Sequence, residues 1–189
     1  VGSARANDSS FGGKGSALVP LQESKVQMTS EDIVLERKFD KAVGGPAWQV
    51  QATYSFNNPT DEPIALQIGY PEYRCYGGEA CNGLGGKFRR LTTSVGGVAV
   101  PQRTGRVDAR HEWARGLGDV YLFDVTFKPG VTTIEHKYAY DLSLSVDGES
   151  VVYVTRTGAL WNGPIGSARF TVRMDYRPWG ISAPPEYKM

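Results

Sequence analysis

The chain has 189 residues, 40% hydrophobic and 22% charged, with 21 Lys and Arg against 20 Asp and Glu. That balance creates no global field to attract nucleic acid, so no nucleic-acid partner is expected. No apolar run reaches the roughly 18 residues of a spanning helix, so no transmembrane segment is expected either.

The first residues, Val1-Gly2-Ser3-Ala4-Arg5-Ala6, put alanine at the −3 and −1 positions of a cut after Ala6, the small-residue pattern of a signal-peptide cleavage site. Residues 1–24 are therefore expected to hold a signal-peptide remnant and an extended, polar, Gly-rich lead-in. The expected location is outside the cytoplasm: periplasmic, cell-surface or secreted.

From Lys25 the pattern becomes β. Val26 and Met28 alternate, and Ile33 and Leu35 resume after a predicted bulge near Ser30-Glu31-Asp32. Gly44-Gly45-Pro46 interrupts the chain. Trp48, Val50, Ala52, Tyr54 and Phe56 then alternate with Gln49, Gln51, Thr53 and Ser55, which predicts a strand with one dry and one wet face. Residues 57–63 form a turn by composition, and Ile64, Leu66 and Ile68 supply the next strand.

Residues 71–86 read as an irregular insertion that holds both cysteines, Cys75 and Cys81. In an exported chain these should pair as a disulfide, and so short a loop gains only about 2 kcal/mol from closure. Gly96-Gly97 predicts a tight hairpin between residues 88–95 and 98–102. Residues 104–118 are polar and basic, a loop or a short helix. Tyr121, Phe123, Val125 and Phe127 alternate up to Lys128-Pro129-Gly130, and Thr132, Ile134, His136, Tyr138 and Tyr140 answer them. Asp147-Gly148 is a second hairpin signal. Tyr153 begins a stretch that ends in a glycine-punctuated aromatic corner, residues 157–166, and Phe170, Val172 and Met174 form a last strand.

Nine to ten short strands and no long helix predict an all-β fold, an antiparallel β-sandwich of immunoglobulin-like kind over residues 25–176. Residues 177–189 read as a Pro-rich tail or linker. The dry-face residues Trp48, Tyr54, Phe56, Phe123, Val125, Ile134, Tyr138 and Trp161 are the expected core.

Several stretches occur together in order: Asn7-Asp8-Ser9-Ser10, Leu18-Val19-Pro20, Met28-Thr29-Ser30-Glu31-Asp32-Ile33, the Tyr54–Asn58 strand end, and Thr157-Gly158-Ala159-Leu160-Trp161-Asn162-Gly163-Pro164-Ile165-Gly166. In these the chain resembles an uncharacterised family of exported bacterial β-rich proteins, known as a domain of unknown function. The likeness runs over most of residues 7–175. It implies export and a β-rich fold, and it brings no catalytic residues with it.

Motifs for chemistry are sparse. His111-Glu112-Trp113-Ala114-Arg115 starts like a zinc-protease helix but has Arg where the second His belongs, so no metal site is expected. No nucleophile elbow or phosphate loop occurs, and no cofactor is expected. Glu31 and Asp32 are adjacent on a strand and should face opposite ways. His136 is expected to be a half-buried packing residue. Arg89, Arg90, Arg103, Arg106 and Arg110 make residues 87–115 locally basic, a candidate surface for an acidic glycan or lipid head group, and Trp179 is a candidate exposed contact. The expected function is a non-enzymatic binding or structural module, with an envelope protein or glycan as partner. Self-assembly through an edge strand is a further option for the chain. The alternative is a hydrolase acting on envelope polysaccharide or peptide, with carboxylates assembled from separate loops.

Overall fold

The computed structural model describes residues 9–12, 19–21, 25–42, 44–73, 88–106, 117–141, 143–145, 148–150, 153 and 161–174. Their strands are, in chain order, β1 (Ser9–Gly12), β2 (Val19–Leu21), β3 (Gln27–Asp40), β4 (Gly45–Asn58), β5 (Ile64–Tyr73), β6 (Arg89–Val95) and β7 (Val98–Ala99). There follow β8 (Arg103–Arg106), β9 (Leu117–Phe127), β10 (Gly130–Asp141), β11 (Ser143–Ser145), β12 (Gly148–Ser150) and β13 (Ser167–Arg173). Among the described residues no helix is long and apolar enough to cross a membrane.

The strands form two facing sheets. The larger runs β13-β3-β4-β10-β6-β7 and the smaller β2-β1-β5-β9-β8, while β11 and β12 pair separately. The core lies between them because alternation turns one face of each long strand inward. Phe56 on β4 meets Phe127 on β9 edge-on at 5.4 Å, and Tyr70 on β5 meets Tyr138 on β10 at 5.7 Å. All eight residues expected in the core are buried.

Two of the expected turns are built by the residues that suggested them. Gly96 and Gly97 take φ of 56° and 82°, the left-handed pair a tight hairpin requires, and Val95 faces Val98. Asn58 anchors the corner after β4. Its amide nitrogen donates to Glu62 O at 2.8 Å and Phe127 O at 2.9 Å, while its oxygen accepts from Thr60 N at 3.0 Å. The aromatic corner closes one end of the sandwich, with Trp161 packed 4.6 Å from Phe56 and the Asn162 amide bonded to Val26 O at 3.1 Å.

Four features depart from the sequence reading. β13 lies parallel to β3, from Ser167 opposite Ser30 to Arg173 opposite Glu36, so the sandwich is not wholly antiparallel. A parallel neighbour needs a long connection, and residues 41–166, which hold β4 to β12, lie between the two strands. Secondly, β9 and β10 do not pair with each other. β9 lies between β5 and β8, β10 between β4 and β6, so the chain changes sheet at Lys128-Pro129-Gly130. Two alternating strands joined by a turn can pair side by side or face each other across a core, and the local pattern is the same for both. Thirdly, β1 and β2 lie within the expected lead-in, and β1 pairs with β5. Lastly, the early bulge falls between Met28 and Ser30, slightly ahead of its expected place.

From Ser30 to Glu36 β3 is paired on both sides within its own chain, by β4 and β13, and offers no open edge there for self-assembly. In the separate hairpin Ser145 faces Gly148, one position from the expected turn. The Cys75–Cys81 loop and residues 177–189 lie outside the described residues.

Candidate functional site

Polar groups inside the sandwich are tied to one another. Glu31 is buried and Asp32 half-buried on the opposite face, as adjacency on a strand requires. Tyr153 donates from its hydroxyl to Glu31 Oε1 at 2.9 Å and also contacts the Tyr54 hydroxyl. His136 is fully buried, deeper than its expected half-burial, because its ring stacks on Tyr70 with centroids 4.1 Å apart while Nδ1 meets Thr93 Oγ1 at 2.6 Å. Glu72 Oε1 accepts from the Phe88 amide and the Tyr121 hydroxyl, each at 2.7 Å. These networks fasten the layers together and explain why so many tyrosines sit in an apolar core: each ring fills space while its hydroxyl reaches a partner. Burial first, and then neighbouring oxygens, pushes the Tyr138 and Tyr153 phenols well above their ordinary range.

Among the described residues, polar side chains open to a ligand gather on the outer face of the large sheet. There a cleft of about 360 Å³ is lined by Val34, Glu36 and Lys38 of β3, Gln49, Val50 and Gln51 of β4, Lys137, Tyr138 and Ala139 of β10, Arg89 and Arg90 of β6, and Arg173 of β13. Strand register aligns them. Arg173 faces Glu36, Glu36 faces Gln49, Gln49 faces Ala139, and Ala139 faces Arg89, one line across five strands. Ala139 is the small residue in that line, and its missing bulk leaves room above the sheet.

A β-bulge puts both Arg89 and Arg90 on this cleft. Thr92 faces Lys137 and Arg89 faces Ala139, so Arg90 and Leu91 together oppose Tyr138. Arg90 adopts φ of 55°, a left-handed conformation unusual for a residue with a side chain. Strict alternation would have sent the two arginines to opposite faces.

Carboxylates hold the cleft in shape. Asp40, at the β3–β4 hairpin end, accepts from the Ala42 amide at 2.9 Å and from Gln49 Nε2 at 2.7 Å, and pairs with the Arg90 guanidinium. Those bonds, the Ala42 amide foremost, hold its carboxyl below the usual carboxylate range. Lys38 binds Glu36 at 2.6 Å and lowers its carboxyl likewise. Glu135 accepts from Gln51 Nε2 at 2.6 Å and pairs with Lys137 at 2.7 Å. Five cations, Lys38, Arg89, Arg90, Lys137 and Arg173, line the cleft among the described residues. Among the described residues that line the cleft, Glu36 is the one carboxylate. Among the described residues no three His, Cys, Asp or Glu gather as a metal site.

Of the expected basic surface, Arg89 and Arg90 are in this cleft. Arg103 and Arg106 belong to β8 in the other sheet, so the structure does not bring the four together. Arg110 and Trp179 lie outside the described residues. Sequence reading missed Lys38, Gln49, Gln51, Lys137 and Arg173, which are distant in the chain. Their signal was the wet face of the alternating strands, which marks exposed positions without saying which become neighbours.

No protein-family model matches the chain, and no curated protein matches it in sequence. Among solved structures, a "putative nutrient binding protein" from Legionella pneumophila is similar to it, with a TM-score of 0.59 at 22% identity, covering 84% of this chain and 51% of that one. The chain thus spans about half the length of that structure. An M1 zinc metallopeptidase from Deinococcus radiodurans matches over 84% of this chain and 34% of that one at 15% identity, but its TM-score of 0.34 carries no argument. The first likeness establishes a shared β fold.

Proposed function

We propose that the chain is a non-enzymatic binding module whose outer cleft on the large sheet takes an anionic ligand. The observation that carries this reading is the convergence of Lys38, Arg89, Arg90, Lys137 and Arg173, from four strands, on one cleft whose floor is an already paired sheet. Side chains on a rigid sheet lose little freedom when they engage a ligand, which favours recognition. The fold shared with a protein described as nutrient-binding is consistent with this class of function. The reading also places the module in the bacterial envelope or outside the cell, as an immunoglobulin-like sandwich with Cys75 joined to Cys81, on the strength of the sequence alone.

The test is a thermal-unfolding series with small and polymeric anions at low and physiological salt. Anions should raise Tm, less so at higher salt, and Lys137→Glu should abolish the effect while Arg103→Ala, on the other sheet, keeps it. An anion-induced shift that Lys137→Glu leaves intact, or no shift with any anion, would overturn the reading.

A further inference from the structure

The cationic groups of the cleft are not spread evenly. Arg173 of β13 and Lys38 of β3 form one bank and Lys137 of β10 with Arg89 of β6 the other, while the Arg90 guanidinium reaches from β6 to Asp40 at the end of β3 and pairs there. Between them, β4 contributes Gln49 and Gln51 and no charge. At about 4.8 Å per strand, the aligned Arg173 and Arg89 backbones stand about 19 Å apart, four strand spacings. A small monoanion can engage one bank at a time. A ligand that uses both must be elongated, lie across the strands and carry negative charge at separated points.

The floor specifies what lies between those charges. Gln49 Nε2 is engaged by Asp40 and Gln51 Nε2 by Glu135. Each amide then keeps its oxygen as an acceptor and one N–H as a donor, a pair that matches hydroxyl groups, which both donate and accept. Peptide capture by strand addition needs an unpaired backbone edge, but β4 and β10, the central strands under the cleft, are each paired on both sides there. Recognition at the cleft therefore falls to side chains, which suit carboxylates at the ends and hydroxyls in the middle.

We infer that the ligand of this cleft is a linear acidic oligosaccharide, carboxylated on separated units, which spans from the Arg173 bank to the Arg89 bank over the Gln49–Gln51 floor. The inference rests on the anion-binding reading above and adds the ligand class. Asp40 is a positioning residue in it, since the same carboxylate holds Gln49 of the floor and fixes Arg90 beside it.

Calorimetric titration of the chain with galacturonic acid, tetragalacturonate, neutral maltotetraose and tetraglutamate tests the inference. Tetragalacturonate should bind at least about tenfold more tightly than its monomer, the return on engaging a second bank. Arg173→Ala and Arg89→Ala should each bring the tetramer close to monomer affinity, and Arg103→Ala should not. Far-UV circular dichroism of each variant separates lost contacts from lost folding, and Arg173→Lys, which keeps the charge, should retain most of the gain. Equal affinity for monomer and tetramer would overturn the two-bank inference and leave the anion cleft standing. Tighter binding of tetraglutamate would replace the sugar by an acidic peptide. Binding of maltotetraose as tight as tetragalacturonate, or no binding of any anion, would overturn both readings.

Discussion

The carbonyl oxygen of Thr29 stands 2.7 Å from where a Cβ on Gly166 would lie. That approach lets the aromatic corner dock against the start of β3 just before β13 begins its parallel run. Gly166→Ala must push the corner away from β3 and should cost about 1–3 kcal/mol in urea unfolding, as overpacking does. At Gly163 the nearest atom is Gln27 Nε2 at 3.8 Å, so Gly163→Ala meets only its left-handed φ of 70°, at about 1–2 kcal/mol. Loss of Trp161 burial, read from its fluorescence, should accompany Gly166→Ala.

Asp40 links acidity to the cleft. Its carboxyl is held below the ordinary value by the Ala42 amide first, then by Gln49 and Arg90, with burial opposing. A depressed carboxyl stabilises the fold fully above the unfolded value of about 4 and loses that contribution as pH falls through the folded one. Urea midpoints across acid pH should therefore decline less steeply in Asp40→Asn than in the parent.

The buried phenols act at the other end of the pH scale. Tyr138, Tyr140 and Tyr153 are all raised, by burial foremost. A raised phenol contributes stability below its unfolded value of about 10 and loses it as pH climbs towards the folded value. In an alkaline titration of phenolate absorbance these three should ionise only as the fold is lost, giving a late step coincident with the far-UV transition. Smooth ionisation of every tyrosine near the ordinary value, with the fold intact, would contradict the packing described.

Cys75 and Cys81 should be joined. The unreduced protein should have the mass of a chain two hydrogens lighter than the dithiol, and should resist alkylation until reductant is added.

The wet and dry faces of the long strands could be read from residues 47–56 and 121–140 because a period of two leaves no other way to bury Trp48, Tyr54, Phe123 and Ile134 together. Glycine turns were legible for a local reason: Gly96-Gly97 needs nothing beyond its own backbone. Pairing was not legible. β9 and β10 alternate as a hairpin would, yet lie in different sheets, and β13 reaches β3 across most of the chain. The cleft depends on that long-range register, since Arg173, Glu36, Gln49, Ala139 and Arg89 come into line only when β13, β3, β4, β10 and β6 are neighbours. The bulge that turns Arg90 onto the same face is a departure from alternation, so the pattern that located the core could not locate it.

The most direct test of the anion cleft is an NMR titration of the isotopically labelled chain with tetragalacturonate. The account predicts that the largest amide and side-chain shifts fall on Val34, Gln49, Gln51, Arg89, Lys137 and Arg173, across five strands of one sheet, while β5 and β9 stay unchanged. Shifts centred on β5, β8 or β9, or a saturating titration that leaves Gln49, Gln51 and Lys137 unmoved, would contradict it.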